Sequence, residues 1–96
     1  MDWKIIHEEQ GQKGRFFLGS EQGELGEMTY VYAGPDKIII DHTEVDPILR
    51  GQNAGKRLVE AAANWAREAG LKIIPLCPFT KATMLKNREL YKDVLA

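Results

Sequence analysis

Three short stretches carry residue types able to do chemistry. The first is Arg50-Gly51-Gln52-Asn53-Ala54-Gly55-Lys56, followed by Arg57. Small residues let a backbone approach a ligand closely. Where such a stretch opens a helix, the first N–H groups have no internal acceptor and the dipole favours negative charge. Asn53 suits an N-cap and tolerates the left-handed conformation. Lys56 and Arg57 then fall in the first turn, where cations oppose the dipole, and a bound anion would resolve that conflict. The plain alternative is a strand-to-helix turn with solvated charges. The second stretch centres on His42, a base suited to neutral pH, or else an imidazole packed on the face of Ile38 and Ile40. The third is Cys77-Pro78. Pro78 fits a first helical position, so Cys77 would be an N-cap thiol with raised thiolate content, against the commoner fate of a buried inert cysteine.

These stretches need elements to position them. Trp3 to Glu8 and Arg15 to Leu18 read as strands joined by a Gly-rich turn, Glu9 to Gly14. A turn at Ser20 to Gly23 precedes a long strand, Glu24 to Ala33, and Gly34-Pro35-Asp36-Lys37 is β-turn chemistry. Lys37 to Val45 is the fourth strand, with Ile38, Ile40, His42 and Glu44 on one face. Short turns throughout imply an antiparallel meander. From Ala54 to Ala69 the period becomes helical: Leu58, Ala61, Ala62, Trp65 and Ala69 form the apolar stripe, and Gly70 ends it. Leu71 to Leu76 is a short, almost wholly apolar strand, and Pro78 to about Asn87 is a second helix. Strand four, helix and strand five form a right-handed crossover with parallel strands. The fold class is therefore α/β, a mixed sheet with four antiparallel strands followed by one parallel β-α-β unit and a short C-terminal helix. The C-terminal ends of strands four and five should bring His42 and Cys77 to one cleft.

The whole chain, 96 residues and 10.8 kDa, is expected to be one domain, 1–96. Its longest apolar runs, such as Ile38-Ile39-Ile40, are too short for a membrane span or a signal-peptide core. The single cysteine suits a reducing cytoplasm, and the scattered His7, His42 and Cys77 give no metal-ligand pattern. A net charge of −1 argues against nucleic acid. The charge is uneven, however. Residues 1–49 hold four Lys/Arg against ten Asp/Glu, and residues 50–96 hold nine against four, which points to a small anionic ligand on the C-terminal half or to mutual attraction of the halves. The lone Ser20 lacks the glycines of a nucleophile elbow. The Gly51 to Lys56 spacing is one residue short of a P-loop, and the dinucleotide fingerprint is absent.

Arg50-x-x-Asn53-x-Gly55 resembles the Q/R-x-x-G-x-G/A acetyl-CoA motif of the GNAT acetyltransferase superfamily, with Asn53 standing where that motif has its first Gly. His42-Thr43-Glu44-Val45, Leu58-Val59-Glu60-Ala61 and Ile74-Pro75-Leu76-Cys77-Pro78 extend the similarity to the minimal, stand-alone GNAT-like proteins, from Lys37 to the C-terminus. The resemblance implies a GNAT-like fold that binds acetyl-CoA, with pyrophosphate on the motif's amides and the pantetheine arm between splayed strands four and five. Pro75, lacking a donor, fits that splay. The five residues Glu9 to Lys13 leave no room for the helices that usually hold the acceptor, so that site should be open or borrowed.

The expected function is an N-acetyltransferase taking acetyl-CoA and an unidentified amine, small molecule or protein, and acting as a cytoplasmic monomer without metal, nucleic acid or membrane. Cys77 and His42 are the candidate catalytic residues, by direct transfer with His42 as base or through an acetyl-Cys77 intermediate. Val45, Arg50, Gly51, Gln52, Asn53, Ala54, Gly55, Lys56 and Arg57 are the candidate cofactor-binding residues. The alternative is a non-catalytic module binding CoA or a phosphate group. His7 is expected to be structural, Tyr91 to cap the core despite being a conceivable proton donor, and Trp3, Trp65 and Phe79 to be core aromatics.

Overall fold

The structure is a computed structural model and describes residues 2–96. Strands β1 (Lys4–Gln10), β2 (Lys13–Ser20), β3 (Gly23–Tyr32) and β4 (Lys37–Val45) form an antiparallel meander. A 3₁₀ turn (Pro47–Leu49) leads to helix α1 (Ala54–Ala69), then β5 (Lys72–Pro75), α2 (Pro78–Lys86) and the short α3 (Arg88–Tyr91). The sheet order is β1-β2-β3-β4-β5, and β5 runs parallel to β4. The mixed α/β fold follows the expected order of elements. The first turn is tighter than expected: Gly11 takes a positive φ of 64°, so two residues suffice and both strands lengthen.

Both principal helices cover one face of the sheet. Leu18, Met28, Tyr30, Ile38 and Ile40 meet Leu58, Val59, Ala62, Ala63 and Ala66 of α1, with Met84, Tyr91 and Val94 closing the end. Each large side chain buried there stabilises the fold by roughly 1.5–3 kcal/mol. The helix is rotated slightly from the expected stripe, since Val59 and Ala63 are buried while Ala69 is exposed. The other face carries no helix among the described residues. There Arg15 gathers the carboxylates of Glu8, Glu24 and Glu27 and lies over the Phe17 ring.

One irregularity decides the site. Tyr30 stands opposite Ile40 and Thr29 opposite His42, so Asp41 is the extra residue of a β-bulge. Thr29 Oγ1 donates to Asp41 Oδ1 at 2.6 Å. Past the bulge the alternation inverts. Thr43 now lies opposite the fully buried Met28 on the helix face, and His42 and Glu44 look out from the helix-free face.

Edge strand β5 is closed by the chain's own tail. Ile73 N–H donates to Val94 O at 2.6 Å, and the Ile73 carbonyl accepts from Ala96 N–H at 2.9 Å. Pro75 is the next residue whose N–H side points outward, so its missing donor protects that edge. It does not loosen the β4 side, where the amides of Leu76 and Cys77 both reach Ile40 O at 3.0 Å.

Candidate functional site

The stretch after β4 is held at its start by Asp46, whose carboxylate accepts from Ile48 N–H at 2.9 Å, and by the buried Leu49. Gly51 at φ 86° and Asn53 at φ 56° then turn the chain through left-handed conformations into α1. Asn53 provides the expected backbone shape but no side-chain cap. Its carbonyl takes the first intrahelical bond, from Arg57 N–H at 3.0 Å. The amides of Ala54, Gly55 and Lys56 therefore have no acceptor within the helix.

These amides border a cleft of about 680 Å³ between β4, the 50–56 turn and α2. Thr43 and Val45 form one wall, and Phe79, Thr83 and Lys86 form the other. Arg50, Lys56 and Lys86 bring three cations, none ion-paired among the described residues. A Cβ on Gly55 would stand 2.6 Å from Phe79 Cζ, so this glycine lets α2 close against the turn.

Seven of the nine expected binding residues line the cleft: Val45, Arg50, Gly51, Asn53, Ala54, Gly55 and Lys56. Gln52 and Arg57 do not, because both turn to Trp3. Its Nε1–H donates to Gln52 Oε1 at 3.0 Å, and the Arg57 guanidinium sits 4.7 Å from its ring centroid. Sequence reasoning missed the α2 wall and placed Phe79 in the core, whereas Phe79 is 43% exposed. The signal was available, since Phe79, Thr83 and Lys86 recur at i, i+4 and i+7 on one helix face.

His42 and Cys77 do not meet. The bulge turns His42 to the helix-free face, exposed, with Nε2 3.6 Å from Glu44 Oε2. Cys77 is buried with the helix-face core, at the N-cap of α2. Its burial pushes the thiol up, but the Thr43 hydroxyl, the Thr80 and Phe79 amides and the Thr80 hydroxyl together hold it below the ordinary value. Thr43 Oγ1 and Thr80 Oγ1 are 3.1 Å apart, and Thr80 is fully buried. The expected meeting of His42 with Cys77 is thus not formed, and Thr43, one residue further along the strand, takes the place on the helix face that unbroken alternation would have given His42.

Elsewhere, His7 stacks on Phe16 at 4.0 Å, meets Trp65 edge-on, and has Nε2 2.5 Å from the Tyr30 hydroxyl. Burial pushes its pKa down. Tyr30 and Tyr32 both donate to Glu9 Oε2, and Tyr32 is pushed up to about 12 by that bond. Tyr91 is buried in the core, away from the cleft walls, with a hydroxyl lacking a partner among the described residues. Among those residues no group of three His, Cys, Asp or Glu could hold a metal ion, and no helix is long and apolar enough to cross a membrane.

Comparison with known proteins gives this geometry a context. The model of the GCN5-related N-acetyl-transferase family matches residues 15–94. A GCN5-like protein of Staphylococcus aureus, assigned as an N-acetyltransferase, is 39% identical over 95% of this chain and 87% of its own, with a TM-score of 0.71. The ribosomal-protein-alanine N-acetyltransferase of Brucella melitensis biovar Abortus 2308 is 19% identical, with a TM-score of 0.63 over 91% of this chain and 64% of its own. A Bacillus anthracis str. Ames protein assigned as a streptothricin acetyltransferase, solved with acetyl coenzyme A, is 21% identical, with a TM-score of 0.57 over 69% of this chain and 38% of its own. The last two likenesses concern the fold, and this chain spans less than two thirds of either protein. Among curated proteins, none matches the chain.

Proposed function

The chain belongs to the GCN5-related N-acetyl-transferase family, and from that premise we propose that it binds acetyl-CoA in the cleft and transfers the acetyl group to an amine nitrogen. The observation that carries this reading is the union of first-turn amides free of any acceptor in the helix with three cations, unpaired among the described residues, around one cleft. A pyrophosphate on the Ala54, Gly55 and Lys56 amides would complete the hydrogen bonding of α1 and offset Lys56 against the dipole. Pairing of β4 with β5 ends at Ile40–Pro75, so the rest of β4 lies open on that side to an extended, amide-bearing ligand arm.

Two routes to product use different residues. In direct transfer an amine nitrogen attacks the thioester carbonyl. The C–N bond forms, the C–S bond breaks, the CoA sulfur leaves as thiolate, and the amine's proton passes to His42. His42 suits this because it looks onto a face left open for an acceptor. In the second route the Cys77 thiolate attacks the thioester carbonyl and CoA leaves as thiolate. The amine nitrogen then attacks the acetyl-Cys77 carbonyl, the C–N bond forms, the C–S bond to Cys77 breaks to give back its thiolate, and the amine's proton passes to solvent. A thiol held below its ordinary value suits that route. The reading also takes 1–96 as one binding domain, working as a monomer in the cytoplasm, where a lone cysteine stays reduced.

The test is thermal unfolding with and without acetyl-CoA. At about one hundred times the dissociation constant the ligand should add roughly 2.7 kcal/mol, a rise of about ten degrees or more for a chain of this size. No shift at millimolar acetyl-CoA overturns the proposal. A shift without CoA release in the presence of candidate amines would leave a binding module.

A further inference from the structure

We infer that the helix-free face carries the acceptor site, a groove for a primary amine joined through an aliphatic chain to a carboxylate. The inference rests on the functional reading above in calling this ligand the acceptor. Its binding to the groove is measurable without acetyl-CoA.

The groove has a volume of about 960 Å³, larger than the cleft of about 680 Å³. Register places Gln10, Lys13 and Val31 in one cross-strand row and Glu8, Arg15 and Thr29 in the next. Strand alternation puts both rows on the face that Arg15 occupies. Five charged residues line the groove, and three of them are spent within the protein. Arg15 pairs with Glu8, and Glu9 accepts from the hydroxyls of Tyr30 and Tyr32. Lys13 and Asp41 have no ion pair among the described residues.

These two free charges stand apart. Lys13 faces Val31, Val31 faces Ile39, and Asp41 lies two residues beyond Ile39, so the two Cα atoms are roughly 12 Å apart. Half-buried Val31 lies between them as an apolar floor. At one end Asp41 is the bulge residue, and Thr29 donates to its Oδ1, which leaves Oδ2 for a ligand. At the other end Gln10 stands opposite Lys13 and adds an amide donor. An ammonium fits the first end, methylenes the middle and a carboxylate the last. The orientation is set as well. Asp41 adjoins His42, and the pairing of β4 with β5 stops at Ile40–Pro75, so the amine end lies where the sheet opens towards the cleft. A plain alkylamine leaves Lys13 without a partner, and a dicarboxylate brings a like charge to Asp41.

The test uses aminocaproate, hexylamine and caproate, which share one chain length and differ in their end charges. In the ligand-free protein aminocaproate should shift the backbone amide resonances of Lys13, Thr29, Val31 and Asp41. It should bind about threefold to fivefold more tightly than either other probe, the range that exposed charge pairs allow. Lys13→Ala should lower its affinity to that of hexylamine. Asp41→Asn, which keeps an oxygen for Thr29, should lower it to that of caproate. With acetyl-CoA present, aminocaproate should show the lower KM of the two amines at equal kcat. Equal binding of aminocaproate and hexylamine overturns the inference, as do resonance shifts confined to other residues. Shifts that follow protein concentration rather than probe place a second copy in the groove and overturn it too. Acetylation of both amines at equal kcat/KM would overturn it while leaving the functional reading in place. Failure to bind acetyl-CoA would sink that reading, and the titration would still decide what the groove holds.

Discussion

The two ends of α1 are built on opposite terms. Its C-terminal half is finished by the protein itself. Trp65 packs against His7, Phe16 and Tyr30, and the hydroxyls of Tyr30 and Tyr32 are taken by Glu9. Arg67 pairs with Asp93 and also reaches Asn64 and the Leu90 carbonyl. The N-terminal end is unfinished. It has a left-handed Asn53, three amides without acceptors in the helix, and cations that the dipole beside them disfavours. One helix can hold both because the closed end supplies the stability that the open end withholds, and an incomplete end invites a ligand that completes it.

The division can be broken at its stable end. Trp65→Ala should destabilise the fold by about 3 kcal/mol, with a melting temperature lower by more than about ten degrees. The affinity of the remaining folded protein for acetyl-CoA should be unchanged by calorimetry. A tenfold loss of affinity with little loss of stability would reverse the assignment of the two ends.

Lys56→Glu is the mirror experiment. It should weaken acetyl-CoA binding about tenfold, about 1.4 kcal/mol, and flatten the salt dependence of that binding. Unfolding without ligand should be unchanged or slightly harder, since an acid suits a helix N-terminus. Marked destabilisation of the ligand-free protein would mean that Lys56 serves the fold.

Both ends were unequally legible in the sequence. The order of strands, the crossover and the 50–56 turn follow from period, turn chemistry and the Asn53-Ala54-Gly55 spacing, all of them local signals. The pairing of His42 with Cys77 failed because strand alternation was carried unbroken through Asp41. A bulge adds one residue to one strand, and nothing in Ile40-Asp41-His42 announces it, since it depends on the register with β3. Gln52 and Arg57 stand off the cleft for a similar reason. They sit on the turn that borders it, but Trp3 takes their side chains from about fifty residues away in the chain. The second cleft wall is a different case, because its periodicity was present and the aromatic at its head drew it into the core.

Trp3 offers the finest test of how the open end keeps its shape. Gln52 and Arg57 flank Asn53, and Trp3 holds both, one through Nε1–H and the other beneath a guanidinium. A residue with a side chain in the left-handed region costs about 1 kcal/mol, so the turn needs outside restraint to stay ready for a ligand. Removing that restraint leaves the cofactor to order the turn on binding. Trp3→Ala should therefore weaken acetyl-CoA binding about three- to fivefold, which is about 0.6–1 kcal/mol, with kcat unchanged. Trp3→Phe keeps a ring beneath Arg57 and gives up one exposed hydrogen bond that water replaces, so its effect should be about twofold or less. Gln52→Leu should match Trp3→Phe, and combining the two should add nothing further. If Trp3→Ala binds acetyl-CoA as tightly as the wild type, the left-handed turn is held by its own backbone and by Leu49 alone.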